Sequence, residues 1–282
     1  MPSSSPPDQE GRLGLRFRAD PRGRTALAGC EQRFPLRTTV PMYLDDADRG
    51  MAFVYVQNPT GGVFADDRLT TDVELGRGTR VHLTTQSATK LYDMAGGHAQ
   101  QHLRFTIADD AYLEHLPDAL IPQAGARFTQ RTDITLGQGA ACVTAELVGP
   151  GRRARGERFG YRELLLSAEA RRGGELLCSD ALRLCPQAVA PWAPGALGTR
   201  DYVSTMLVIA PDRDVDRWVD QLDAALRGEA GDLGAAAALP NGAGALVRVL
   251  SATATEARRA LTAAWRVARA ELLDLPLPRV RK

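Results

Sequence analysis

Residues 81–90 read VHLTTQSATK. The run is rich in β-branched residues, which suit a pleated, half-buried strand. It also contains Ser87-Ala88-Thr89-Lys90, an S-x-x-K. That spacing serves a serine nucleophile activated by lysine when the two residues stand one helical turn apart. On a strand, residues three apart lie about 10 Å from each other and on opposite faces. A supporting K-T-G element is missing from the chain. The stretch therefore predicts a structural strand rather than a hydrolase site at Ser87.

Outward from this strand the same short, period-two pattern recurs. Leu13, Leu15 and Phe17 alternate, as do Phe34 and Leu36, then Leu103, Phe105 and Ile107, then Ala141, Val143, Ala145 and Leu147. Alternation of this kind marks strands with one buried face. Turn signals separate the runs, among them Asn58-Pro59-Thr60-Gly61-Gly62, Gly76-Arg77-Gly78 and Gly137-Gln138-Gly139. The pattern predicts a mainly β fold, a large multi-stranded domain over residues 13–210.

The last part of the chain changes period. Val215, Trp218, Val219, Leu222 and Leu226 fall on one helical face, with Asp212 or Asp214 placed to cap it. A Gly/Ala stretch, 228–244, reads as flexible, and Leu246, Val247, Val249 and Leu250 read as one strand. Ala257, Leu261, Ala264, Trp265, Ala268 and Leu272 form a second helical stripe that Pro276 and Pro278 stop. Residues 211–282 are too small and too rich in Ala and Gly for a core of their own. The expectation is two C-terminal α-helices packed on the β domain, one domain overall.

Composition narrows the function. The chain has 282 residues, 44% hydrophobic and 24% charged, with a formal net charge of +1. Near-neutrality gives no electrostatic case for nucleic acid or an anionic membrane. No apolar run reaches the roughly 18–20 residues that span a bilayer. The start, MPSSSPPDQEG, predicts a disordered tail over residues 1–12 and lacks the pattern of a secretory signal. Cys30, Cys142, Cys178 and Cys185 form no C-x-x-C, which predicts reduced thiols in the cytoplasm, with Cys142 a small buried residue.

Other candidate chemistry is sparse. His98 and His102 are four apart, a metal pair on a helix, but Ala99–Phe105 reads as a strand that would hold them about 13 Å apart. They are weak metal candidates only. No P-loop and no G-x-G-x-x-G is present. Arg152, Arg153, Arg155 and Arg158 crowd into VGPGRRARGERFG, a solvated loop or a surface for an anionic or protein partner. Few aromatic residues accompany them, which argues against single-stranded nucleic acid. These residues predict a protein that binds or scaffolds, not an enzyme.

Several stretches, in order, resemble one family. GRTALAGCEQRFPLRTTVPMY, then YVQNPTGGVFADDRLTTDVELGRGTRVHLTTQSATKLYDM, then AYLEHLPDALIPQAGARF, then ELVGPGRRARGERFG and the C-terminal WRVARAELLDLPLPRVRK look like successive segments of the urease accessory protein UreD, also called UreH. The resemblance runs over about residues 13–282. There are departures: the family's Gly-Gly-Asp turn reads Ala65-Asp66-Asp67, and its C-terminal Arg-x-Trp-Arg lacks the Trp at Arg279-Val280-Arg281.

The resemblance implies a β fold of stacked or helix-like sheets and a chaperone role. It implies apo-urease and a UreF-type accessory protein as partners, with a UreG-type GTPase joining through UreF. It implies assistance in nickel insertion, with nickel held transiently and no tightly bound cofactor. Asp67, Thr84, Thr85, Gln86, Glu114 and Glu157 are the candidate polar residues lining or shaping a nickel route. Arg152, Arg153 and Arg155 are the candidate partner-binding residues. Such a scaffold should expose an apolar patch for its partner. The alternative is a β-domain binding module for an unrelated ligand or protein.

Overall fold

The computed structural model describes residues 10–230 and 233–280. In chain order the described strands are β1 (Glu10–Ala19), β2 (Thr25–Arg33), β3 (Arg37–Thr38), β4 (Ala52–Gln57), β5 (Arg68–Leu75), β6 (Arg80–Thr85), β7 (Thr89–Leu91), β8 (Ala99–Ile107) and β9 (Tyr112–His115). They continue with β10 (Leu120–Pro122), β11 (Arg127–Leu136), β12 (Ala141–Val148), β13 (Glu163–Arg172), β14 (Glu175–Leu184) and β15 (Tyr202–Ile209). Helix α1 (Asp216–Ala230), β16 (Gly234–Ala238), β17 (Gly244–Ser251) and helix α2 (Ala254–Leu273) complete the chain.

From β4 to β13 the chain alternates between two sheets, so that each coil lays down one strand in each. The first sheet has the order β14-β13-β11-β8-β5-β1-β2, and the second runs β16-β17-β15-β12-β9-β6-β4-β3. Strands β1, β5, β8, β11 and β13 pair in parallel, as do β4, β6, β9 and β12. A short third ladder, β7 beside β10, closes one side of the coil. The fold is thus mainly β, a solenoid of two facing sheets. Antiparallel β2 and β14 end the first sheet, and antiparallel β15, β17 and β16 extend the second.

Alternation places the first core. Leu13, Leu15, Phe17, Val73, Phe105, Phe128 and Leu164 point inward from the first sheet and meet Val54, Val81, Leu83, Leu113 and Cys142 from the second. A second core lies on the other side of the second sheet. There Phe53, Val143, Met206 and Val247 pack against Trp218, Leu222 and Leu226 of α1 and Ala260, Ala264 and Ala268 of α2. The architecture is three layers, sheet, sheet and helices, and the middle sheet is buried on both faces. This reassigns one strand reading. The apolar set Ala141, Val143 and Ala145 faces the helices, while Cys142, Thr144, Glu146 and Val148 face the opposing sheet.

Several local expectations are corrected. Glu10, Gly11 and Arg12 belong to β1, not to a tail; residues 1–9 lie outside the described residues. The Gly/Ala stretch holds β16, because its small side chains let the strand pair with β17 while α1 packs on it. Asp212 does not cap α1: it pairs with Arg172 (2.8 Å) and accepts the Gly139 N–H (2.8 Å). Thr253 caps α2, in a reciprocal capping box with Glu256.

Gly244 opens β17 with φ 146°, and a Cβ there would sit 1.9 Å from the Val208 carbonyl oxygen. Gly244→Ala should therefore lower stability by roughly 2–3 kcal/mol, through overpacking at a conformation closed to alanine. A urea titration against the parent chain measures this, and an unchanged midpoint would refute the steric argument.

Candidate functional site: polar groups inside and behind the second sheet

The opening motif is resolved by its position. Thr84 and Thr85 end β6, Ser87 sits exposed in the bend that follows, and Lys90 is exposed on β7. The Thr84 hydroxyl donates to the Leu116 carbonyl (2.6 Å), and the Thr85 hydroxyl accepts the Asp118 N–H (2.8 Å). Gln86 donates its N–H to the Val56 carbonyl (2.9 Å). These groups staple neighbouring coils together. Among the described residues, no hydrogen bond links Ser87 to Lys90.

Asp67 closes the turn before β5 by accepting the Phe64 N–H (2.8 Å). Burial pushes its carboxyl up, partly offset by that hydrogen bond. The neighbouring Asp66 has φ 64°. The left-handed backbone that a glycine would supply is thus kept by an aspartate, one of the few side chains that tolerate it. Glu157 accepts the Ala124 N–H and pairs with Arg152 (2.6 Å). It fastens the Arg-rich loop to the turn before β11. Arg153 reaches Asp201 (3.1 Å) and the Ala252 carbonyl (2.9 Å), and Arg155 is exposed.

The two histidines are not brought together. His98 meets Thr129 (2.9 Å) and His102 meets Asp133 (2.6 Å), separate partners on β11. Among the described residues, no group of three or more His, Cys, Asp or Glu side chains is placed to hold a metal ion.

Glu114 is the centre of a buried charge network between the second sheet and α2. Its carboxylate faces His82 Nδ1 (2.8 Å) and accepts from the Tyr112 hydroxyl (2.9 Å) and from Arg269 Nη1 (2.7 Å). Arg269 also pairs with Asp45 and donates Nε–H to the Pro276 carbonyl (2.8 Å). Both Glu114 and Arg269 are 0% exposed. The His82 ring lies between Phe53 and Trp265, at centroid distances of 4.9 and 5.4 Å. Burial pushes the Glu114 carboxyl up, but His82 and Arg269 together outweigh it and hold the carboxyl below its ordinary value.

A second polar line runs on the inner side of the same sheet. His115 Nδ1 meets the Thr144 hydroxyl (3.0 Å), and Thr144 borders a cavity of about 30 Å³ shared with Gln130, Thr132, Glu146, Asp180 and Thr205. Such a volume holds one water molecule or a small ion. Gln130 donates its amide to Glu146 (2.5 Å), and Arg248 holds Asp180 (2.7 Å). The Thr205 hydroxyl is buried without a hydrogen-bond partner among the described residues. Burial pushes the Glu146 carboxyl up to about 7, with the Gln130 amide opposing it. The sequence reading missed Glu146. The available signal was Thr144 and Glu146 occurring at one parity in ACVTAELV, polar residues in a strand bounded on both sides by apolar ones.

A family model described as the UreD urease accessory protein matches residues 9–282. The chain belongs to the UreD urease accessory protein family. It is 37% identical over 270 residues to the urease accessory protein UreD of Mycolicibacterium gilvum, covering 96% of this chain and 97% of that protein. It is 37% identical over 279 residues to the urease accessory protein UreD 2 of Streptomyces griseus, covering 98% and 94%. It is 39% identical over 230 residues to the urease accessory protein UreD of Haloarcula marismortui, covering 81% of this chain and 76% of that protein. Membership in the UreD family assigns the chain a role in urease maturation, and its relatives are named as accessory proteins. No helix among the described residues is long and apolar enough to cross a membrane.

Proposed function

We propose that this UreD-family chain is a non-catalytic scaffold. It binds apo-urease and a UreF-type protein in the cytoplasm, is joined there by a UreG-type GTPase through UreF, and assists nickel insertion into urease. Nickel is cargo in this reading, held transiently. Family membership over nearly the whole chain supports the maturation role. The observation that favours cation handling is the inner polar line ending at Glu146, a carboxyl near neutrality beside the unpartnered Thr205 hydroxyl. Oxygen ligands around one carboxylate suit a divalent ion that must leave as well as enter. A closed His/Cys cage would hold it too long. Trp192 and Val189, 65% and 60% exposed between β14 and β15, are apolar groups that a protein partner would cover.

Co-expression with the host's urease subunits and accessory proteins tests this reading. Urease activity and its nickel content should both depend on the chain. Glu146→Gln should still be captured with the urease proteins yet lower nickel content several-fold, because one ligand charge is removed. Full nickel loading by Glu146→Gln would end the case for the inner line. Activation that ignores the chain altogether would end the scaffold reading and favour a module for another ligand.

A further inference from the structure

Many arginines among the described residues are answered by a carboxylate. On the outer face of the first sheet Arg12 and Arg104 meet Asp72, Arg131 meets Asp133, and Arg127 and Arg183 meet Glu163. The outer face of α2 is different. Thr255, Arg259, Thr262 and Arg266 follow one another at helical spacing, all exposed, and line a shallow cleft of about 410 Å³ together with Arg258. Glu229 of α1 is the acidic residue lining it. Arg258 is turned to Asp118 (2.8 Å). Among the described residues, neither Arg259 nor Arg266 makes an ion pair or a side-chain hydrogen bond.

The Arg-rich loop meets the start of α2. Arg153 donates to the Ala252 carbonyl, immediately before the Thr253 cap of α2. Arg155, in the same single turn of 3-10 helix, is exposed and also makes no ion pair among the described residues. The N-terminus of α2 adds its own partial positive charge on this side.

We propose that the outer face of α2, with Arg259 and Arg266 at its centre and Arg155 at its margin, is a docking surface for an acidic helix of a protein partner. Arg259 and Arg266 are two turns apart, about 10 Å along the axis. A partner helix bearing carboxylates at the same two-turn spacing would place one opposite each guanidinium, in the bidentate geometry arginine favours. Thr262, between the two cations, and Thr255, one turn before them, are short, so a second helix can approach closely. Nucleic acid is the poorer fit, because the lining residues include no aromatic side chain on which a base could stack.

The identity of the partner as a urease-maturation protein rests on the function proposed above; the surface itself does not. Two measurements separate them. A labelled helical peptide with glutamates seven residues apart is titrated into the full chain at low and high salt. A glutamine version and a single-stranded oligonucleotide serve as comparisons. The glutamate peptide should bind in a salt-sensitive manner, and R259E/R266E should weaken it by about tenfold or more. R16E/R18E, on the far sheet, should leave it unchanged. Equal binding to both variants, equal binding of the glutamine peptide, or tighter binding of the oligonucleotide would overturn the proposal. In the second measurement the tagged chain is co-expressed with the urease proteins, and R259E/R266E should lose a partner that R16E/R18E keeps. If every variant retains every partner, the maturation complex does not use this face. If the parent chain captures none of them, the proposed function fails while the peptide titration still decides the surface.

Discussion

Arg269→Met should destabilise the folded chain by about 3–5 kcal/mol, the usual cost of removing one member of a buried ion network. Asp45 and Glu114 would be left buried without their shared guanidinium, and the Pro276 carbonyl would lose its donor. For a chain of this size the melting temperature should fall by of the order of 10 °C. Adding Asp45→Asn and Glu114→Gln to Arg269→Met should recover part of the loss, because the stranded charges are then gone. A triple variant no more stable than Arg269→Met would show that the arginine contributes packing rather than charge. The network also sets an acid limit. Glu114 titrates below its ordinary value, so the stability it contributes is complete at neutral pH and is lost as the pH falls below about 4.5 and through its folded value.

Glu146 should give the opposite dependence. Its carboxyl lies at about 7 against an ordinary value of 4.5, so the folded state holds its proton over a range in which the unfolded chain has released it. The group's contribution is full below 4.5 and declines as the pH rises to about 7, a change of roughly 3 kcal/mol. Urea unfolding at several pH values should show that decline in the parent chain and a flatter profile in Glu146→Gln. At pH 8 the variant should be the more stable of the two, even though it is expected to load less nickel. Identical profiles would mean that the cavity admits enough water to solvate the carboxylate.

Alternation made the strands legible, because a period of two is imposed by the pleat itself. Leu103, Phe105 and Ile107 announced β8, and Leu13, Leu15 and Phe17 announced β1. Alternation says which residues share a face, not what covers that face. In β12 both faces are buried, so the apolar parity was equally consistent with helices or with a sheet above it. Strand pairing had no local signal at all: Phe128 sits between Ala99, 29 positions before it, and Leu164, 36 positions after it. Low strand propensity hid β16, where pairing with β17 overrides the preference of alanine and glycine. Glu114 entered as a candidate through the family resemblance. Its role as the seat of Arg269 depends on a residue 155 positions later and left no trace nearby.

The order of synthesis gives the helix layer a further consequence. Phe53 and Val143 are made long before α1 and α2, and the outer side of the second sheet lacks its helical cover until those two helices emerge from the ribosome. A nascent solenoid can stack its early coils as they appear, yet it carries a bare apolar flank throughout elongation. Chains stopped before α2 would therefore associate with one another or be held by a chaperone. Docking of α2 is the step that releases the chain from that hazard.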